Sequence, residues 1–296
     1  MAERLIGIIG GSGLYEMDGL EILREECVST PFGEPSDRYV VGRLRGRPVA
    51  FLARHGRGHR LMPSELNFRA NIFGFKLLGA EWILSASAVG SMREDVKPLD
   101  ILIPDQFFDR THGRPSTFFG RGLIAHVSMA DPTCPALGDI LFRAGQKTGA
   151  TVHRGGTYLC IEGPQFSTRA ESRIYRGWGV DVIGMTNLQE AKLAREAEIC
   201  YSTMALVTDY DVWHETEEDV SVEAVIAVLR QNVETARAIL REAVTMVPEQ
   251  RDCLCSHALK DAIITAPQAV PEAVKRDLAP IVGKYFGNGQ GKDQPS

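Results

Sequence analysis

Apolar residues fall in short continuous runs along this chain, and most runs end in small or polar residues. Leu5–Ile9, Val49–Ala53, Trp82–Ser87, Ile101–Ile103, Gly156–Ile161, Val180–Ile183 and Ile199–Val207 are such runs. Runs this short, bounded by glycine, serine and proline, predict strands buried on both faces. Between them the spacing becomes helical. Ser64 to Leu78 reads as a helix capped by Ser64 and stopped by Gly79. Pro135–Lys147 has proline in its first turn and Gly149 beyond its end. Arg169–Trp178 follows Ser167 and Thr168, either of which can cap it, and Asn187 opens a helix reaching about Glu198. Ser221–Val247 carries Val222, Val225, Ile226, Leu229, Val233, Ala236, Leu240 and Val244 on one stripe, which reads as core. After Gly13 the pattern predicts a poor helix up to Thr30 and Pro31. Residues 31–48 read as loop and hairpin, and 105–134 as a long irregular stretch of the kind that carries function or an interface.

Strands alternating with helices predict a mixed sheet flanked by helices. No repeat or linker divides the chain, so residues 1–286 are expected to form one domain, followed by a disordered tail at 287–296. The polar and glycine-rich groups sit at strand ends, where ligands of open α/β sheets bind.

Charge sharpens this picture. The formal net charge is −5, yet residues 54–71 contain Arg54, His55, Arg57, His59, Arg60 and Arg69. A local cationic patch on an acidic chain suits a bound anion, whereas nucleic acid asks for a broad basic surface. Gly10, Gly11, Ser12 and Gly13 follow the first strand, where backbone N–H groups and the Ser12 hydroxyl can cradle a phosphate. A dinucleotide fingerprint is not met, because Leu14, Tyr15 and Glu16 follow and the third glycine is missing. That argues against a nicotinamide-dependent oxidoreductase. Residues 85–91 form another small-residue strand end, Thr186 stands beside a helix N-terminus, and Ile199–Val207 delivers Thr208, Asp209, Tyr210 and Asp211.

Composition adds exclusions. At 44% hydrophobic and 24% charged, the chain matches a soluble globular protein, and no apolar stretch is long enough to span a bilayer. The first residues lack a signal-peptide pattern, so a cytoplasmic protein is expected. Cys27, Cys134, Cys160 and Cys200 have no metal-ligand spacing and read as buried small hydrophobes. Cys253, Cys255 and His257 cluster, but zinc needs a further ligand and none stands nearby in sequence, so no metal is expected.

These motifs carry a resemblance. Residues 6–14 (IGIIGGSGL), 52–56 (LARHG), His59 with Pro63, Asn67, Ala70 and Asn71, 161–167 (IEGPQFS), 184–186 (GMT) and 208–213 (TDYDVW) are similar to the methylthioadenosine phosphorylase branch of the purine nucleoside phosphorylases. The likeness runs from about residue 5 to about 267. It implies a three-layer α/β/α sandwich with a mixed, partly barrel-like sheet, assembled as trimers or dimers of trimers. It implies phosphorolysis of 5′-methylthioadenosine to adenine and 5-methylthioribose 1-phosphate, with inorganic phosphate as co-substrate and no organic cofactor. A methylthioinosine or general purine nucleoside phosphorylase is the near alternative. A nucleosidase, with water in place of phosphate, fits the phosphate-directed groups less well.

By the same resemblance, phosphate contacts fall on Ser12, Arg54, His55, Ser87, Ala88 and Thr186. Ser87 stands where many relatives have Thr. Met185 lies under the ribose, Phe166 packs against the base, and the Asp209-Tyr210-Asp211 segment faces the purine. His126 helps build the methylthio end of a neighbouring subunit's site. Asp209 is the expected proton donor to purine N7, with Asp211 close by; two adjacent carboxylates favour retaining a proton. Asp209 and Ser167 replace the Asn and Glu of the 6-oxopurine branch, and Val222 replaces the His that holds a 5′-hydroxyl there. All three exchanges suit methylthioadenosine.

Overall fold

The computed structural model describes residues 4–15, 17–214 and 222–286, and the statements of absence below concern these. The strands are β1 (Leu5–Gly10), β2 (Leu20–Glu26), β3 (Tyr39–Leu44), β4 (Arg47–Ala53), β5 (Ala80–Ser91), β6 (Ile101–Ile103), β7 (Gln106–Arg110), β8 (Val152–Arg154), β9 (Thr157–Ile161), β10 (Val182–Gly184) and β11 (Cys200–Asp209). The helices are α1 (Phe68–Leu77), α2 (Pro135–Thr148), α3 (Arg169–Gly177), α4 (Asn187–Glu196), α5 (Val222–Met246), α6 (Glu272–Asp277) and α7 (Ala279–Phe286). No helix is long and apolar enough to cross a membrane.

β5 organises the sheet because it is 12 residues long. Its first half pairs in parallel with β1, and its last residues, Gly90 and Ser91, pair antiparallel with β10. β11 runs parallel along its other side. The sheet therefore forks. One path runs β2-β3-β4-β1-β5, then β10-β9-β7; β11 continues through β6 to β8. This gives the mixed, partly barrel-like sheet expected from the sequence.

Alternate side chains feed two cores. Ile6, Ile8, Trp82 and Leu84 pack with Leu141 of α2 and Leu240 of α5. Ile9 and Ile83 pack on the other face with Phe73 of α1, Leu193 of α4 and Ile281 of α7. These are the three layers.

Several expectations need correction. Residues 20–26 form a strand, not a poor helix: β2 is an edge strand, largely exposed and charged, which pairs only with β3. Solvation of both faces removed the apolar signal that marks the inner strands. The hairpin expected within residues 31–48 is present, β3 pairing antiparallel with β4 around Arg45 and Gly46, whereas β7 lies inside the irregular 105–134 stretch. The helix after the basic loop starts at Phe68, not Ser64. Asn67 caps it, accepting from the Ala70 N–H at 3.1 Å, while Ser64 lies in the short 3-10 turn Pro63–Glu65. Thr186 rather than Asn187 holds the N-cap of α4. Thr168 caps α3 in a reciprocal pair with Glu171. Residues 287–296 lie outside the described residues.

Candidate active site

The ends of β1, β4, β5, β10 and β11 open onto one cavity of about 800 Å³. Arg54, His55, Ser87, Ala88, Phe166, Ser167, Met185, Thr186, Asp209 and Asp211 all line it. Residues singled out in the sequence thus converge on one cavity.

Asp209 is aimed by a bulge. Val207 pairs with Val89 and Asp209 with Gly90, so Thr208 is the extra residue in β11. The Thr208 hydroxyl reaches Val89 O and donates to Asp209 Oδ2 at 2.6 Å, while the Asp211 N–H donates to Oδ1 at 2.8 Å. A Cβ on Gly90 would lie 2.9 Å from Asp209 Oδ1, so only glycine leaves that oxygen room. Asp211 adopts φ +53°, a left-handed conformation uncommon outside glycine and asparagine. Its Oδ2 is buried without a hydrogen-bond partner among the described residues. The hydroxyls of Ser172 and Ser167 lie beside it. Burial raises both carboxyls above the usual range; the charge of Asp211 raises Asp209 further, while its hydrogen bonds oppose the shift. Two buried carboxyls this close hold a proton between them more readily than two exposed ones.

Arg54 is 2% exposed, and most of its guanidinium is taken up by partners within the protein. Its Nε donates to Glu190 at 2.5 Å, Nη2 donates to Glu190 at 3.1 Å and to Ser85 Oγ at 2.7 Å, and Nη1 donates to Ala86 O at 2.8 Å. Glu190, 1% exposed, thus takes the fork. Of the five N–H donors, one on Nη1 is left for a ligand. The Tyr201 hydroxyl donates to Glu190 at 2.8 Å, and Asn187 Nδ2 donates to Tyr201, Ser85 and Thr203. Glu190 and Asn187 were not recognised from the sequence. The available signal was a Glu one turn into the helix that starts at Thr186, a position facing the strand ends.

His55 is fixed by its own loop. Nδ1 lies 2.8 Å from Leu61 O, and a carbonyl only accepts, so the neutral ring carries its proton on Nδ1. Nε2 is then an acceptor, suited to a P–OH group. The ring stacks on His59 at 4.3 Å between centroids. Burial first, then the neighbouring Arg54 charge, lowers the His55 pKa to about 4. The folded state therefore binds this proton less well than the unfolded chain, whose histidine titrates near 6.5. Stability rises with pH across this window and is lost as pH falls from 6.5 toward 4. Between pH 6.5 and 5 the loss attributable to His55 is about 1–2 kcal/mol. Urea unfolding at those two pH values should show this extra loss in the native chain relative to His55→Gln. Equal losses in both would contradict the assignment.

Thr186 stands on the same wall of the cavity. It is buried and holds the N-cap of α4 without capping the helix through its side chain, so the first-turn amides keep their donors. Ser87 Oγ donates to Asn187 Oδ1 at 2.5 Å. Ala88 follows it on the wall. The Ser12 side chain lies outside the described residues, but Gly11 and Leu14 on either side line the cavity.

Arg114, absent from the sequence reading, does not line the cavity but supports the segments that do. Its Nη1 donates to Met185 O at 2.5 Å, its Nη2 donates to the Glu162 carbonyl and to Ser64 Oγ, and the side chain is 3% exposed. It ties together the segments carrying Met185, Phe166 and Ser167. Gly163 has φ +66°, and a Cβ there would lie 2.4 Å from Met185 Sδ. Val225, Ile226, Leu229 and Val233 of α5 close the apolar side, so part of the stripe read as core faces the cavity.

Two expected residues, Tyr210 and His126, stand apart. Tyr210 is not among the cavity-lining residues and packs against Trp213 and His214. His126 lines a separate cavity of about 430 Å³ with Lys192 and Glu196. The Val222 side chain lies outside the described residues, although Val225 and Ile226 one turn on reach the site. Cys134, Cys160 and Cys200 are buried free thiols as expected, Cys27 is exposed, and the sequence spacing concealed a cluster. Cys134 and Cys200 are brought to Cys253 and Cys255, all four sulfurs lying within 4.8 Å of one another, and His257 is not part of the group.

A phosphorylase superfamily model matches residues 5–245. The chain is 61% identical over 282 residues to S-methyl-5'-thioadenosine phosphorylase of Koribacter versatilis (strain Ellin345), covering 95% of this chain and 97% of that one. A solved methylthioadenosine phosphorylase from an antarctic soil metagenomic library superposes with a TM-score of 0.90 at 51% identity, covering 95% of this chain and 99% of that chain. A mutant adenosine/methylthioadenosine phosphorylase from Schistosoma mansoni, in complex with methylthioadenosine, has a TM-score of 0.82 at 34% identity, covering 92% and 100%.

Proposed function

The chain belongs to the S-methyl-5'-thioadenosine phosphorylases of the phosphorylase superfamily, and from that premise we propose how its own residues perform the reaction. The enzyme cleaves 5′-methylthioadenosine with inorganic phosphate, giving adenine and 5-methylthioribose 1-phosphate. Phosphate occupies the end of the cavity bounded by Arg54, His55, Ser87, Ala88 and Thr186, with Ser12 beside it. It meets backbone N–H groups, hydroxyls and the one N–H left on Arg54, in a site whose nearest arginine charge is already balanced by Glu190. As the ribosyl–purine bond lengthens, C1′ becomes cationic. A phosphate held below the ring stabilises that charge and then attacks. Met185 supports the ribose and Phe166 covers the base.

The leaving base needs a proton at N7. Asp209 supplies it, and Asp211 accepts from the 6-amino group. The observation that carries this reading is the oriented Asp209 carboxyl beside a second buried carboxyl, Asp211, on the cavity wall. A 6-amino group donates to Asp211, whereas a 6-oxo group would set lone pair against lone pair at a cost of about 1–3 kcal/mol. Ser167, in place of a carboxylate, fits the same base. The α5 side chains and Val222 suit the methylthio end.

We place the active assembly as a trimer or a dimer of trimers. Phe108, Ile174 and Trp178 are each about half exposed, and Phe108 packs on Trp178 with ring centroids 5.4 Å apart. Such an apolar patch supports a subunit interface. His126, away from its own chain's cavity, is assigned to a neighbour's. A sedimentation mass of a single chain would overturn this. A cytoplasmic enzyme fits six cysteines with none in a disulfide. The reaction itself is tested by base release with and without phosphate.

A further inference from the structure

Cys134, Cys200, Cys253 and Cys255 come from three distant stretches of chain. Cys134 is the residue before α2, Cys200 the first residue of β11, and after α5 Cys253 precedes a short 3-10 turn that contains Cys255. All four sulfurs lie within 4.8 Å of one another, and the Cys200 and Cys253 sulfurs are 3.3 Å apart. Four thiolates around a tetrahedral zinc at about 2.3 Å stand about 3.8 Å from each other, within the spacing found here. Cys134, Cys200 and Cys255 are buried and Cys253 is partly so.

The surroundings are donors. Arg195 Nη1 donates to Cys255 Sγ at 3.5 Å, and this arginine has no carboxylate partner among the described residues. Its Nη2 donates to the carbonyls of Asp131 and Thr133, fixing the segment that leads into Cys134. The Cys134 sulfur faces the Leu137 N–H at the start of α2, and the Cys253 sulfur faces the Cys255 N–H. Cationic and N–H donors around sulfur stabilise thiolate, the form that binds metal.

We propose that these four cysteines form a structural tetrathiolate site for a soft divalent ion of the zinc type. Binding converts four thiols and one Zn²⁺ into a dianionic zinc tetrathiolate and releases four protons, with no change of oxidation state. All four positions are filled by protein, so the ion has no open position for catalysis. The site lies at the opposite end of β11 from Asp209. Nine residue steps at about 3.3 Å each put about 30 Å between Cys200 and Asp209. The ion staples the start of α2, the base of β11 and the segment after α5.

The test uses the full chain produced in zinc-supplemented medium and purified with reductant, which is then removed. Elemental analysis should find about one zinc per chain. Unfolding in chelator without reductant should then expose six thiols, matching the six cysteines. Cys255→Ser and Cys134→Ser should lose the zinc. Cobalt(II) loaded into the chelated protein should show tetrahedral d–d bands and a near-ultraviolet thiolate charge-transfer band. Removing zinc from the native protein should lower Tm by several degrees and leave kcat unchanged. Six thiols without metal would overturn the site. So would two thiols without metal, the signature of two disulfides. Zinc retained in both variants would also overturn it. If a variant fails to fold, the metal and thiol counts and the cobalt spectrum of the unmodified chain still decide.

Discussion

Replacing Asp209 by Asn lowers kcat/KM for 5′-methylthioadenosine by about 10²- to 10⁴-fold, the range lost when a positioned proton donor is removed. The fold should tolerate the exchange. The Asp211 N–H can only donate, so the amide oxygen keeps the Oδ1 place facing it. The Thr208 hydroxyl can rotate to accept from the amide nitrogen, since it lies between Asp209 and Val89 O. The new NH₂ group then presents a donor to the base. A 6-oxopurine gains that hydrogen bond, whereas the 6-amino group held by Asp211 meets donor against donor, so the ratio of adenine to hypoxanthine release should fall by about 10- to 100-fold. The check is kcat/KM for methylthioadenosine and methylthioinosine on both enzymes. An unchanged ratio would contradict the role given to Asp209.

The second large effect is on Glu190. It is the only carboxylate that pairs with Arg54 among the described residues, and both side chains are almost fully buried. Removing one partner of such a pair leaves an uncompensated charge and costs about 3–5 kcal/mol. Glu190→Ala should therefore unfold at clearly lower urea. Glu190→Gln keeps an acceptor for the guanidinium and should lose less. In both variants Arg54 becomes the nearest unbalanced cation to the anion site. Phosphate supplies the missing charge, so it should raise the variants' Tm by more than it raises that of the unmodified enzyme. Equal phosphate shifts would mean that Glu190 supports the fold without tuning the anion site. Arg54 is then best described as held by Glu190 and lending one N–H to phosphate.

The residues that were legible in the sequence share a cause. Inner strands are unbroken apolar runs, so their ends mark the sheet edge where Arg54, His55, Thr186, Asp209 and Asp211 meet. What was illegible depends on partners far apart in sequence. Glu190 looks like an ordinary helical glutamate until Arg54, 136 residues away, is placed against it. Arg114 sits in a stretch without periodicity, and its role comes from two backbone carbonyls. β2 was lost because an exposed charged edge strand has no apolar period. The four cysteines defeat spacing rules because only Cys253 and Cys255 are sequence neighbours.

The most direct test of the central claim is base release from 5′-methylthioadenosine with and without inorganic phosphate, read against methylthioinosine and inosine. Adenine release should require phosphate, with 5-methylthioribose 1-phosphate as the second product and little release from the two 6-oxopurines. Release that proceeds equally without phosphate would make water the nucleophile and remove the roles given to Arg54, His55 and Thr186.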